Sequence, residues 1–227
     1  MKTHISSQDI PETKRKLLNA GIELMRMKGF NATSVAEICE AAGTTKGGFF
    51  HYFPSKEDLT KEAAFLFREE KMKSYEEAGF LSLPDPLDRV MSRLEFLKSS
   101  ERLHNIYSCL IGTLAQELST THPDLREIFQ GAFAKMTKDL ELDLEAAKAL
   151  YAPEAVFDPR SLASMFISMF QGAILIAKAA DSNEVVVDNI ESFITCLRSF
   201  FPEAAFRKVK TRRKPAIASG KPAIAAS

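Results

Sequence analysis

Residues 33–59 read TSVAEICEAAGTTKGGFFHYFPSKEDL, and this stretch decides how the rest of the chain folds. Ser34 followed three positions later by Glu37 is the pairing in which a hydroxyl and a carboxylate each satisfy a free backbone N–H, so a helix is predicted to start there. Val35, Ile38, Cys39 and Ala42 recur at three-to-four spacing and give that helix one apolar side. Gly43 closes it, since glycine enters the left-handed region without steric cost. A second short helix is predicted from Thr44 or Thr45 to about Tyr52. Phe53-Pro54 ends it, and Ser55 with Asp58 caps the next.

Two short helices joined across a glycine turn have the geometry of a helix-turn-helix, whose second helix fits the major groove of DNA. Thr44, Thr45, Lys46, His51 and Tyr52 can donate to phosphates or base edges. Gly47 and Gly48 would each cost a helix about 0.8–1.0 kcal/mol relative to alanine. Adjacent glycines therefore need a reason. Close approach of a ligand to the backbone is one, and a segment that is not helical at all is another.

The run AGTTKGGFFHYFPSKEDL, residues 42–59, resembles the signature of the tetracycline-repressor (TetR) family: a glycine, two small or hydroxyl residues, Lys-Gly, an aromatic-rich stretch, then Ser-Lys-Glu. The resemblance extends from about Thr13 to Ala63. To the donors and glycines above it adds Phe50 in the DNA-binding interface, with Thr33 and Lys56 as anchors on backbone phosphates. Two positions depart from the pattern. Phe50 stands where a tyrosine is usual, which removes a phenolic donor, and Gly48 stands where a side chain often helps to read bases.

The resemblance implies an all-α, nine-helix architecture. A helix-turn-helix domain would occupy 11–56 and a helical effector-binding and dimerisation domain 57–202. Periodicity agrees: helices are predicted from Pro11 or Glu12 to Lys28 and from Lys56 to about Ala78, then over 87–99, 105–119, 123–150, 160–180 and 183–201, with no convincing strand. Residues 203–227 are basic, rich in Pro and Ala, and repeat Lys-Pro-Ala-Ile-Ala; disorder is predicted there.

The 227 residues are 45% hydrophobic and carry zero formal charge, enough for a substantial core but no bulk signal for nucleic acid. The distribution is more telling. Residues 1–56 hold eight Lys/Arg against five Asp/Glu and residues 203–227 seven against one, so the middle is acidic and the basic ends could face DNA. Three well-separated cysteines, at 39, 109 and 196, fit a reducing cytoplasm rather than a disulfide framework. The N-terminus lacks an apolar leader segment, so no secretory signal is expected. Residues 161–177 carry no charge, but at 17 residues with Ser164, Ser168 and Gln171 they are expected to form a buried interface helix rather than a membrane span.

No enzymatic constellation emerges, and neither cofactor nor metal is expected. Lys46 comes too early for a phosphate loop, no G-x-S-x-G elbow occurs, and histidines 4, 51, 104 and 122 have no ligand-like pairing. Glu141, Asp143 and Glu145 read as a solvated face. Met91, Phe96, Tyr107, Cys109, Phe133, Met136, Phe166, Met169 and Phe170 are either ordinary core or the wall of an apolar cavity with polar groups such as Thr113, and the resemblance implies a small effector there. Cys109 lies in YSCLIGTLAQEL, which is similar to a stretch in a TetR subgroup that includes repressors responsive to electrophiles; a buried packing role is the competing reading. Helices 160–180 and 184–201 offer more apolar surface than one domain hides. The resemblance makes Gln171, Gly172, Ile176, Ile190, Phe193, Ile194 and Leu197 a homodimer interface. The expectation is a cytoplasmic repressor that binds operator DNA as a homodimer and is released by a small apolar or electrophilic effector. A helix-turn-helix regulator controlled by a protein partner instead is the alternative.

Overall fold

The computed structural model describes residues 10–99 and 109–210, with side chains described to 206; everything below refers to these. They form ten α-helices and one short 3-10 turn: α1 Glu12–Lys28, α2 Val35–Ala41, α3 Lys46–Tyr52, α4 Lys56–Glu77, the turn Phe80–Ser82, α5 Pro86–Lys98, α6 Leu110–Leu118, α7 Pro123–Tyr151, α8 Pro159–Ala180, α9 Glu184–Phe200 and α10 Glu203–Lys210. The fold is all-α. The expected start of a helix at Asn105, the residue Tyr107, the first nine residues and the tail beyond 210 lie outside the described residues.

The local signals at the front of the chain act as chemistry requires. Ser34 accepts from the Glu37 N–H at 3.2 Å while the Glu37 carboxylate accepts from the Ser34 N–H at 2.9 Å. Lys28, followed by Ser34, donates to that carboxylate and holds it far down, at about 2. Gly43 turns the chain at φ 63°, and the Thr45 hydroxyl caps α3 by accepting from the Gly48 N–H at 3.1 Å. Ser55 caps α4 in the same way through Asp58.

Two apolar clusters form the interior. One joins α1–α4 through Leu17, Leu18, Met25, Ile38, Phe49, Phe53 and Leu59, and it continues without a break into Leu114 of α6 and Phe129 of α7. The other is the body, where α5, α7, α8 and α9 meet around Leu94, Leu144, Phe166 and Phe193. Each fully buried Leu or Phe contributes about 1.5–3 kcal/mol. Helix α8 is long and apolar enough for a membrane span, with a mean hydropathy of 1.6. However, Leu162, Phe166, Phe170, Ala173, Ile174 and Ala177 turn one face of it into the core.

Two expectations need correction. The segment from Glu203 to Lys210 is a tenth helix, not disordered tail: Ala205 and Phe206 are buried, Phe206 meets Phe201 edge-on at 6.3 Å, and Arg198 lies over its ring at 4.7 Å. The basic composition hid the apolar Ala205-Phe206 beside Phe201. Asp143 is also not solvated. It is 8% exposed and accepts from Arg89 Nε at 2.7 Å and Arg93 Nη2 at 3.3 Å, a buried charge made tolerable by its partners.

Candidate nucleic-acid interface and helical cavity

Helix α3 presents Thr45, Lys46, Gly47, Phe50 and His51 to solvent, with Phe50 55% exposed. Thr44, Gly48 and Tyr52 sit half-buried at the edge of the same face, and the Tyr52 ring meets His51 edge-on at 4.7 Å. Phe49, fully buried, anchors the helix from behind. The two glycines have different reasons. A β-carbon at Gly48 would stand 2.5 Å from Thr44 Oγ1, so a side chain there requires the Thr44 hydroxyl to turn away. At Gly47 the nearest atom is Thr45 Oγ1 at 3.7 Å, an ordinary contact. Nothing within the described chain forbids a side chain at Gly47.

Two expected phosphate anchors are engaged elsewhere. Thr33 is 1% exposed and donates its hydroxyl to the Gly29 carbonyl at 2.7 Å. Lys56 donates to the carbonyls of Phe30 at 2.8 Å and Thr33 at 2.7 Å, and lies 3.8 Å over the Phe30 ring. Burial pulls the Lys56 pKa down. Both side chains staple the α1–α2 loop rather than project from it, because that loop has carbonyls without helical partners.

The same loop is tied to the body. The Glu117 carboxylate, on α6, accepts from the backbone N–H of Phe30 at 3.1 Å and of Asn31 at 2.9 Å. It comes so close that a β-carbon on Gly29, which has φ 87°, would lie 1.9 Å from Glu117 Oε1. Lys178 of α8 adds a long contact to the Arg26 carbonyl, 3.4 Å. The sequence offered no hint of Glu117, whose partners are 86 and 87 residues away.

Two adjacent cavities open behind this link and share Cys109, Gln171 and Ile174. The larger, about 430 Å³, also touches Thr113, Phe133, Glu117 and Lys178. The smaller, about 130 Å³, also takes Met136, Phe166 and Phe170. Of the remaining expected lining residues, Met91 is buried core, Phe96 meets Tyr75 edge-on and Phe80 at a tilt, and Met169 packs half-buried against the body. What the sequence reading missed is the contribution of α1, α4 and α5: Phe67, Met72 and Tyr75 together with Arg26, Arg68, Lys71 and Arg93. The i, i+4 spacing of Phe67, Lys71 and Tyr75 was visible, but a weakly amphipathic helix gives no sign of which face is inner.

Cys109 is half-buried at the junction of the two cavities, whereas Cys39 is buried and burial pushes its thiol pKa up. The expected dimer residues divide. Ile190, Phe193, Ile194 and Leu197 are consumed by the chain's own core, with Phe193 4.8 Å from the Phe166 ring. Gln171 turns inward to the cavities, with Oε1 against Gly112. Ile176 remains outward at 54% exposure, beside Leu175 at 52% and Met165 at 46% on the outer face of α8, with open space over Gly172.

Comparison with known proteins bears on the whole arrangement. The family model described as bacterial regulatory proteins, tetR family, matches residues 17–63. The model described as tetracyclin repressor-like, C-terminal domain, matches residues 86–193. The chain is 28% identical over 188 residues to an uncharacterized HTH-type transcriptional regulator in the lacX 3′ region of Lactococcus lactis subsp. lactis, covering 81% of this chain and 92% of that protein. It is 28% identical over 180 residues to the transcriptional regulator AcuR of Cereibacter sphaeroides, covering 79% of this chain and 80% of the relative. The solved structure of a regulatory protein TetR from Rhodobacter sphaeroides superposes with a TM-score of 0.71 at 29% identity, over 85% of this chain and all of that one. The reduced form of E. coli NemR, at 22% identity, shares the fold with a TM-score of 0.68 over 84% of this chain and 97% of its own.

Proposed function

Because this chain belongs to the tetR family of bacterial regulatory proteins and is a helix-turn-helix transcriptional regulator, we propose that it is a cytoplasmic, homodimeric repressor released from its operator by a small molecule held in the helical body. Residues 11–56 act as the reader and 57–202 as the effector-binding and dimerisation unit. The observation that carries this reading is the outward face of α3. Lys46 and the threonine hydroxyls serve phosphates, which set register. His51 donates to a base edge, and the exposed Phe50 ring suits the methyl group of thymine. Gly47, with no internal reason to be glycine, lets the backbone approach the duplex.

Glu117 supports the responsive half of the reading. It borders the larger cavity and grips the loop that leads into α2. A ligand that displaces α6 therefore pulls on the reader. Release follows only if the ligand binds the displaced state better, with a typical coupling of about 1–3 kcal/mol.

Salt-dependent titration of a mixed-sequence duplex tests the DNA half. Lys46→Ala is expected to weaken binding and reduce the slope of log affinity against log salt by about one per bound chain. Identical slopes for wild type and variant would contradict the assignment of α3.

A further inference from the structure

The smaller cavity has a charge character that the family resemblance does not supply. Arg93 is 8% exposed, and its guanidinium gives Nη2 to Asp143, which already accepts the shorter bond from Arg89. One carboxylate thus serves two guanidinium groups, and Arg93 Nε has no partner among the described residues. Gln171 Nε2, in the same lining, is buried and equally unpartnered among them. Both are donors. An unmet buried donor is costly, most of all on a charged group, and what completes it is an acceptor. Arg26, Arg68, Lys71 and Lys135 line the same cavity; Arg26 is paired with Glu23 at 2.8 Å and the one lining carboxylate, Asp139, with Lys135, so the lining cations outnumber the carboxylates that meet them. The local field therefore favours an anion.

We propose that this cavity binds a short organic anion, its carboxylate set against Arg93 and Gln171 and its carbon chain among Phe67, Phe166 and Phe170. The inference rests on the reading of the helical body as an effector site. The walls exclude a bare inorganic anion as the best occupant, because the aromatic side chains need an apolar partner. The volume, about 130 Å³ and so near that of a cavity that holds benzene, limits the chain to about six carbons before it reaches the larger cavity past Gln171 and Ile174.

Calorimetric titration of the full-length, DNA-free protein with hexanoate, hexanamide and inorganic phosphate tests this. Hexanoate is expected to bind once per chain, about tenfold tighter than either of the others, as a charge-assisted hydrogen bond requires. Arg93→Lys keeps a cation beside Asp143 but removes the Nε donor, and Gln171→Leu removes the second donor at similar volume. Each is expected to weaken hexanoate about fivefold or more, with a melting temperature close to wild type for at least Gln171→Leu. Equal affinity for hexanoate and hexanamide, preference for phosphate, or unchanged hexanoate affinity in Gln171→Leu would overturn the proposal. Duplex binding is measured alongside. Loss of duplex affinity on adding hexanoate supports both readings. Hexanoate binding that leaves duplex affinity unchanged overturns the effector role but upholds the anion site. Intact duplex binding with no hexanoate binding overturns the anion site and leaves the DNA reading standing.

Discussion

At the scale of single residues, Gly47 and Gly48 separate what the fold needs from what a partner needs. Substituting Gly47 with alanine meets only an ordinary contact, so Gly47→Ala is expected to stabilise the chain by up to about 0.8–1.0 kcal/mol through helix propensity. The same change puts a methyl group on the face offered to DNA and is expected to weaken duplex binding. Gly48→Ala must push the Thr44 hydroxyl aside, which offsets the gain in helix propensity, and is expected to stabilise less than Gly47→Ala. Thermal melts and duplex titrations of the two variants check this. A Gly47→Ala protein that is more stable and binds DNA as well as wild type would remove the argument for close backbone approach.

At the scale of elements, the short reader helices depend on bonds that reach across the sequence. Glu117→Ala leaves the Phe30 and Asn31 N–H groups without their acceptor, which costs about 1.5–3 kcal/mol for a charge-assisted pair. Hydrogen exchange is expected to accelerate tenfold or more, about 1.4 kcal/mol, at the amides of residues 29–35, with the α5–α9 core unchanged; unaltered protection there would refute the link. Glu37 makes a pH-dependent case. Its folded carboxyl is held at about 2, below its ordinary 4.5, by Lys28 and then Ser34. The stability it contributes is therefore complete above about 4.5 and lost as pH falls towards 2. The gap in melting temperature between wild type and Glu37→Gln should close across that window, and a gap independent of pH would show that the capping pair does not carry it.

These elements also show what the sequence could reveal. Caps such as Ser34, Thr45 and Ser55 lie within three residues of their partners, so their helices were legible and sit within a residue or two of expectation. Thr33 and Lys56 were assigned outward roles because nothing local shows that the α1–α2 loop would consume them. Four of the expected dimer residues belong to the chain's own core for a related reason. Ile190 and Leu197 are apolar enough for either an interface or a core, and only the packing of α9 on α8 decides which.

At the scale of the whole molecule, the two apolar clusters give the proposed coupling of body to reader a physical route. The reader core runs on into α6 and α7, and the same α6 walls both cavities, the smaller through Ile111 and the larger through Gly112 and Thr113. The outer face of α8, with Met165, Leu175 and Ile176 exposed around Gly172, is the surface on which a second copy would set the separation of two α3 helices. Selection of duplexes from a random pool at moderate salt measures the consequence directly. The account requires an inverted repeat bound by two chains, with half-sites centred about 34–36 Å apart. A pool that emerges without any enriched sequence, or with a single half-site bound by one chain, would contradict it.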